Sequence, residues 1–102
     1  METTSVSKLL DAIDKGLDVF GTSVKGVIYY RFSTIYNSKR DEIPRKPELF
    51  SESLRTFFGE RGYHVEAAIV ASIIDAFHLV EVTYSDSLVR TINEARKQLR
   101  SS

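Results

Sequence analysis

The sequence contains no cysteine, and this absence removes several kinds of chemistry at once. Without a thiol the chain has no disulfide framework, no thiolate zinc site, no iron–sulfur cluster and no cysteine nucleophile. Proline and glycine are also scarce, at 2 and 5 residues, which argues against a disordered or fibrous chain. We therefore expect residues 1–102 to form a single helical domain that packing alone stabilises.

Long apolar runs are missing as well. The longest one, residues 67–71, is far shorter than the roughly 20 residues that a membrane helix needs. The N-terminus is polar and lacks the apolar region of a secretory signal. We expect a cytoplasmic protein without a membrane partner.

Neither sign of charge is in excess, because 14 basic residues balance 14 acidic ones. The whole chain therefore lacks the long-range field that concentrates nucleic acid or anionic lipid. Within residues 21–47, however, the net charge is +4. The basic side chains of this segment are Lys25, Arg31, Lys39, Arg40, Arg45 and Lys46, with Tyr29, Tyr30 and Tyr36 among them.

Cations interleaved with aromatic rings are typical of surfaces that hold a phosphate backbone and stack bases. A regulatory protein that binds DNA or RNA through this basic segment is therefore our alternative hypothesis. A solvated loop explains the same residues more simply, since the chain carries no net charge. A helix-turn-helix formed by the third and fourth predicted helices is disfavoured, because residues 62–89 contain no lysine or arginine.

Apolar residues recur with the 3.6-residue period of an α-helix along most of the chain. This periodicity predicts five helices, near residues 5–20, 22–37, 47–58, 63–79 and 85–100. Thr22 or Ser23 is expected to cap the second helix, and Ser85 or Asp86 the fifth. Residues 79–84 alternate apolar and polar side chains, which fits a short strand but more simply an extended connection. The pattern predicts an all-α fold, a compact orthogonal or bundle-like domain.

Two of the predicted helices have faces that suit contact with a second copy of the chain. The fifth carries a narrow apolar seam of the coiled-coil kind, and the fourth has a back of small or polar residues that lets another backbone approach. We predict a homo-oligomer, most simply a dimer, that uses these two faces. The seam comprises Leu88, Ile92, Ala95 and Leu99, and the second surface comprises Ala68, Ala71 and Asp75.

Candidate catalytic and metal-binding residues are few. His64 and His78 are the only histidines, and each shares a helical face with one carboxylate, Glu60 and Asp75 respectively. The two pairs are separated by about 21 Å along one helix, too far to form one site within a single chain. An enzyme that joins them across an oligomer interface is a further alternative. We expect no catalytic residue, no metal site and no cofactor.

Nucleotide-binding and hydrolytic motifs are absent from the sequence, including the P-loop, the dinucleotide fingerprint, the nucleophile elbow and the zincin motif. Gly59-Glu60-Arg61-Gly62 matches the G-x-x-G loop of a KH domain in form. Glu60 would repel an RNA backbone, however, and no strand is readable on either side. We expect a turn between two helices there.

Several short blocks occur in an order that resembles a known family. They are Phe20-Gly21, Val27-Ile28-Tyr29-Tyr30, Arg40-Asp41-Glu42-Ile43-Pro44-Arg45-Lys46-Pro47-Glu48-Leu49-Phe50, Phe57-Phe58-Gly59 and Ile69-Val70. Together they resemble the Nitrosopumilus output domain, fifth of that naming series, a small archaeal all-helical family. The resemblance covers about residues 9–80, and its most specific part is the E-I-P-x-x-P-x-x-F block followed by F-G. Residues 61–64 depart from the Gly-Ala-rich helix start of the family.

The resemblance implies a role rather than a site. Domains of this family are described as output modules of archaeal signalling proteins, and no catalytic residue or cofactor carries over from them. The matching residues are architectural: Pro47 begins a helix, Phe50 and Phe57 fill a core, and Gly59 ends the helix. We predict a non-enzymatic protein-interaction module, a signalling or regulatory output domain, with an unidentified protein partner besides its own second copy.

Overall fold

Helices account for nearly all the regular structure of this protein. The computed structural model describes residues 2–101, and it describes side chains over residues 6–99. The α-helices are α1 (Glu2–Asp18), α2 (Thr22–Tyr36), α3 (Pro47–Phe58), α4 (Gly62–Phe77) and α5 (Leu88–Ser101). Two short 3₁₀ segments, η1 (Arg40–Arg45) and η2 (Gly59–Arg61), flank α3. No strand occurs within residues 2–101, and the predicted all-α, bundle-like fold is confirmed.

The second helix begins at Thr22 without the side-chain cap that its sequence predicts. Gly21 occupies the N-cap position with a φ of 106°, a value that favours glycine. No side chain caps the first turn, so the cap predicted at Thr22 or Ser23 is wrong. Residues 79–84 form a connection with bends and a turn and contain no strand.

The fifth helix begins later than its periodicity predicts, because the capping residue is a different serine. The Ser87 hydroxyl accepts a hydrogen bond from the Arg90 amide at 3.1 Å, so the cap predicted at Ser85 or Asp86 is wrong. Asp86 instead accepts the amide hydrogen of Thr83 at 2.8 Å. This bond closes a turn in the chain just before α5.

All five α-helices contribute to one hydrophobic core. The rings of Phe32 and Phe50 meet edge to face in it, with centroids 5.5 Å apart. The Cα radius of gyration is 12.6 Å, close to the roughly 13 Å of a compact chain of this length. Fully buried core side chains include Leu9, Ile13, Ile28, Phe32, Phe50, Leu54, Ile69, Ile73, Leu88 and Ile92.

Helix α4 lies at the centre of the fold, in contact with α1, α3 and α5. Its closest neighbour is α1, because a methyl group placed on Gly16 would come within 2.7 Å of the Ile69 Cα atom. The Ser72 hydroxyl also donates to the Ala12 carbonyl oxygen at 2.5 Å. Position 16 therefore requires glycine, since any side chain there would push the two backbones apart.

The G-x-x-G stretch is the turn that joins α3 to α4. Gly59 ends α3 with a φ of 59°, and η2 leads directly into α4. A Cβ atom on Gly62 would lie 3.1 Å from the Leu54 carbonyl oxygen, so the two helices approach closely at this point. The predicted helix–helix turn is confirmed. A KH domain is excluded for the described residues, because they contain none of the strands that flank such a loop.

Candidate functional site

The predicted dimer seam on α5 lies inside the protein. Leu88, Ile92 and Ala95 are each at most 1% exposed, and they belong to the core shared with the other helices. Leu99 is partly buried against the same core. The prediction of a free seam is therefore corrected: α5 uses its apolar stripe to pack against α3 and α4 of its own chain.

The second predicted surface, on α4, is already occupied in part. The Ala68 carbonyl oxygen lies 3.0 Å from the Cβ position of Gly16, so α1 covers this part of the face. Ala71 is half-buried. Asp75 is exposed, and it accepts a hydrogen bond from the Tyr84 hydroxyl at 3.0 Å. The small residues of α4 do admit another backbone, but that backbone is α1 of the same chain.

Arg40, a residue of the predicted nucleic-acid surface, is paired with carboxylates of α1. Its guanidinium donates to both carboxylate oxygens of Asp14, at 3.1 and 2.6 Å, and lies 3.4 Å from Asp11. The Tyr29 hydroxyl donates to Asp14 as well, at 2.5 Å. We call Asp14, Tyr29 and Arg40 the Asp14 clamp. It joins α1, α2 and η1.

The protonation states of the Asp14 clamp are fixed by the clamp itself. Partial burial opposes ionisation of Asp14, but the hydrogen bonds from Arg40 and Tyr29 outweigh it, and the pKa of the carboxyl lies below its ordinary value. Burial, together with the neighbouring carboxylate, raises the pKa of the Tyr29 hydroxyl. At neutral pH Tyr29 is therefore a donor and Asp14 a charged acceptor, as a structural linkage requires.

Two further basic side chains of the predicted surface are paired. Lys25 lies 2.9 Å from Asp18, and Lys46 lies 3.2 Å from Glu42. The remaining three are exposed and have no carboxylate within ion-pairing distance among the described residues: Arg31, Lys39 and Arg45. Half of the predicted basic side chains therefore have no acidic partner within residues 6–99.

The three tyrosines of the basic segment occupy different environments. Tyr29 belongs to the Asp14 clamp. The Tyr36 hydroxyl donates to Thr56 at 3.2 Å, and its ring packs against Phe57 with centroids 6.2 Å apart. Tyr30 is 70% exposed. Of these three rings, Tyr30 alone is presented to the outside.

The two histidines lie at opposite ends of α4 and are both exposed. His78 forms the C-cap of the helix in a left-handed conformation, with a φ of 54°. The structure therefore keeps the Glu60–His64 and Asp75–His78 pairs apart. No group of three metal-ligating side chains occurs in the part of the chain that the structure describes.

A buried carboxylate on α4 is a feature that sequence reasoning missed. Glu66 is 7% exposed, and it accepts hydrogen bonds from Ser51 at 2.5 Å and from Arg55 at 3.3 Å. The sequence does indicate a buried position for this carboxylate, because Glu66 shares the apolar face of α4 with Ile69 and Ile73. A charge in such a stripe needs partners. The hydrogen bonds from Ser51 and Arg55 provide partners for Glu66 and link α3 to α4.

Exposed apolar side chains concentrate on α2 and on the turn before it. Eight large hydrophobic side chains are exposed among the described residues. Five of these eight fall within residues 19–35, while the others are scattered over the rest of the chain. The five are Val19, Phe20, Val27, Tyr30 and Ile35.

One line of exposed side chains runs along α2, opposite the buried Ile28 and Phe32. At 100° per residue Ser23, Val27, Tyr30 and Thr34 span about 60° of the helix surface, and Gly26 extends the span to about 100°. No carboxylate occurs in α2, and the line itself carries no charge. We call it the α2 surface; it comprises Ser23, Gly26, Val27, Tyr30 and Thr34, with Gly26 at its edge. Sequence reasoning missed it by following only the buried stripe, although Val27 and Tyr30 are apolar residues outside that stripe.

A groove of about 430 Å³ lies between residues 79–82 and α5. Val80 and Glu94 contribute to its walls. Gln98, which also lines it, donates its amide hydrogen to the Phe77 carbonyl oxygen at 3.1 Å and so completes the end of α4. The groove is a surface depression whose polar lining takes part in the fold.

Comparison with models of protein families, with curated proteins and with solved structures found no match to the chain. Among the described residues, no helix combines the length and the apolar character needed to cross a membrane.

Proposed function

We propose that this protein is a non-enzymatic protein-interaction module, a signalling or regulatory output domain that makes its contacts through α2. The observation that carries the proposal is the concentration of exposed apolar side chains between residues 19 and 35. Val27 is 52% exposed and Tyr30 is 70% exposed, on neighbouring turns of one helix. Val27 and Tyr30 are three residues apart, so their side chains are neighbours on the helix surface. Neighbouring exposed apolar side chains favour a contact site.

The composition of α2 supports the same proposal. Its inner face contributes Ile28 and Phe32 to the core, and its outer face carries Val27 and Tyr30. Large apolar side chains on the outer face of a helix favour a second contact there. Within the described residues only the inner side is covered, so a second protein surface would complete the packing of α2.

A nucleic-acid-binding function remains the second candidate, and specific side chains favour it. Arg31, Lys39 and Arg45 are exposed cations with no acidic partner among the described side chains, and Tyr30 presents a ring for stacking. The zero net charge of the chain weighs against it, because no long-range field would gather a polyanion.

The deciding experiment is affinity capture from a native lysate of the source organism, before and after nuclease treatment. Three baits are compared: the natural chain, the Val27→Ser/Tyr30→Ser variant, and a Val80→Ser control that alters an exposed valine far along the chain. We expect a protein partner, including the chain itself, to be retained by the natural chain and the control, and lost by the α2 variant. Capture that nuclease abolishes would instead favour the nucleic-acid function. Retention by all three baits would remove α2 as the contact surface.

A further inference from the structure

Gly26 is the glycine that the folded chain does not explain. Gly16 and Gly62 each face another backbone, whereas Gly21 and Gly59 have positive φ values. Gly26 lies inside α2, and a methyl group placed on it would meet nothing within 4 Å. Glycine destabilises a helix interior relative to alanine, so Gly26 lowers the stability of α2. No contact within the chain requires glycine at this position. The space above Gly26 is therefore open to a side chain of another molecule.

A side chain that fits this space is Tyr30, the residue one turn further along the same surface. Its ring is a knob, 70% exposed, and Gly26 is a hole. At 100° per residue, Tyr30 and Gly26 both lie on the same side of the other three residues of the α2 surface, which are Ser23, Val27 and Thr34. If two α2 helices meet antiparallel about a two-fold axis near residue 28, each Tyr30 falls over the Gly26 of the other helix. Val27 then lies beside the axis.

We propose that a second copy of this chain covers the α2 surface through this antiparallel, two-fold contact. The inference rests on the proposed function, for which it names the partner. A two-fold interface requires a surface that complements itself, and a knob and a hole one turn apart on one helix satisfy that requirement.

The charges around α2 favour a second copy of this chain over a different protein that is recognised through complementary charge. Near a two-fold axis each side chain meets its own counterpart, so a charge there would be repelled. The α2 surface carries none. Lys25 lies on the core-facing side of α2 and is paired with Asp18. Arg31 borders the α2 surface beside Val27, and its guanidinium lies over the Phe57 ring. The net charge of the chain is zero, so two copies do not repel each other at long range.

The size of the surface sets the expected strength of the dimer. A standard stable interface buries about 800 Å² on each partner. One face of a single helix, with Phe20 at the preceding turn, offers less than this. Interfaces that bury less than about 1,200 Å² in total are typical of weak, transient contacts, so we expect a dissociation constant in the micromolar range.

Sedimentation equilibrium of the full chain over low to high micromolar concentrations tests the association. We expect a monomer–dimer equilibrium that Tyr30→Ser and Gly26→Leu each weaken by about tenfold or more, through loss of the knob and filling of the hole. Gly26→Leu introduces a good helix former on an open surface, so its fold is expected to persist, and far-UV circular dichroism verifies this. Val80→Ser is the matched control and should leave the equilibrium unchanged.

Cross-linking tests the geometry, and the absence of cysteine from the chain makes each introduced thiol unique. A short bismaleimide should join Val27→Cys to itself across the axis, and should join Ser23→Cys to Thr34→Cys when the two variants are mixed. Ser23→Cys alone and Thr34→Cys alone should not cross-link, because the two thiols of each such dimer lie about three helical turns apart. Val80→Cys should also fail.

Two results would overturn the inference. A chain that remains monomeric at every concentration has no second copy as its partner. A dimer that withstands both Tyr30→Ser and Gly26→Leu uses another surface. In the first case the lysate capture described above still decides whether α2 binds a different protein, so failure of the inference and failure of the proposed function are distinguishable.

Discussion

Gly16 and Gly26 are both helical glycines, and their surroundings are opposite. A methyl group at position 16 would collide with the α4 backbone, whereas one at position 26 would enter open space. We expect Gly26→Ala to raise the free energy of unfolding by about 0.5–1 kcal/mol, because alanine restricts the unfolded chain and creates no clash. We expect Gly16→Ala to lower it by about 1–3 kcal/mol, because α1 must move away from α4.

Urea unfolding followed by far-UV circular dichroism measures both changes. The chain is kept below micromolar concentration, so that association adds nothing to the stability of either variant. A Gly16→Ala variant as stable as the natural chain, or more stable, would contradict the close packing of α1 on α4.

At the scale of single elements, Ser85 and Ser87 have different roles at the start of α5. The sequence alone does not show which of them caps the helix. Ser87 caps the helix through its hydroxyl, whereas the Ser85 hydroxyl lies 3.0 Å from that of Thr83 in the preceding turn. Ser87→Ala should therefore cost about 0.5–2 kcal/mol of stability through the lost cap, with Ser85→Ala costing less. Thermal or urea unfolding of the two matched variants decides this. A larger effect at Ser85 would move the start of α5 toward the boundary predicted from periodicity.

The Asp14 clamp joins three elements, and its strength depends on pH. Because Arg40 and Tyr29 hold the pKa of Asp14 below its unfolded value of about 3.9, its contribution to stability is fully present above that value. The contribution is lost as the pH falls through the lower, folded pKa. We expect Asp14→Asn to cost about 1–3 kcal/mol near neutral pH, through its weakened charge-assisted hydrogen bonds.

The measurement is the difference in unfolding free energy between the natural chain and Asp14→Asn, from about pH 6 down to about pH 2. The difference should be constant at the upper end and shrink at the lower end. Asp41→Asn, at an exposed position in η1, is the control. A difference that stays unchanged across the whole range would show that the carboxylate charge contributes nothing.

At the scale of the whole molecule, the balanced charge predicts weak binding to polyanions. Fluorescence anisotropy with labelled duplex DNA and single-stranded RNA, at about 50 and about 200 mM salt, measures it. We expect low affinity that the triple variant Arg31→Ala/Lys39→Ala/Arg45→Ala hardly alters. An affinity that falls steeply with salt, and that this variant reduces, would favour the nucleic-acid function over the interaction module.

The basic segment also shows why the candidate site was harder to predict than the fold. The sequence indicates that Arg40 is basic, but not that the chain returns it to Asp14, a residue of α1. Likewise, Tyr29 and Tyr30 are adjacent and identical in type, yet one is bonded within the clamp and the other is exposed. Both outcomes depend on contacts between residues distant in sequence.

The sequence by itself determined the class of fold and most of the helix boundaries. Periodicity of apolar residues is a local property, and the backbone bonds of a helix lie within the helix, so five segments could be located without knowing their neighbours. Pro47 and Gly59 mark the ends of α3 for equally local reasons.

Only the tertiary structure decided which surfaces are free. The stripe on α5 has the spacing of a dimer seam, but α3 and α4 already cover it. The small residues of α4 receive α1, while the outer face of α2 remains uncovered among the described residues. The physical reason is that burial depends on which elements share the same space, and the period of a single helix carries no information about that.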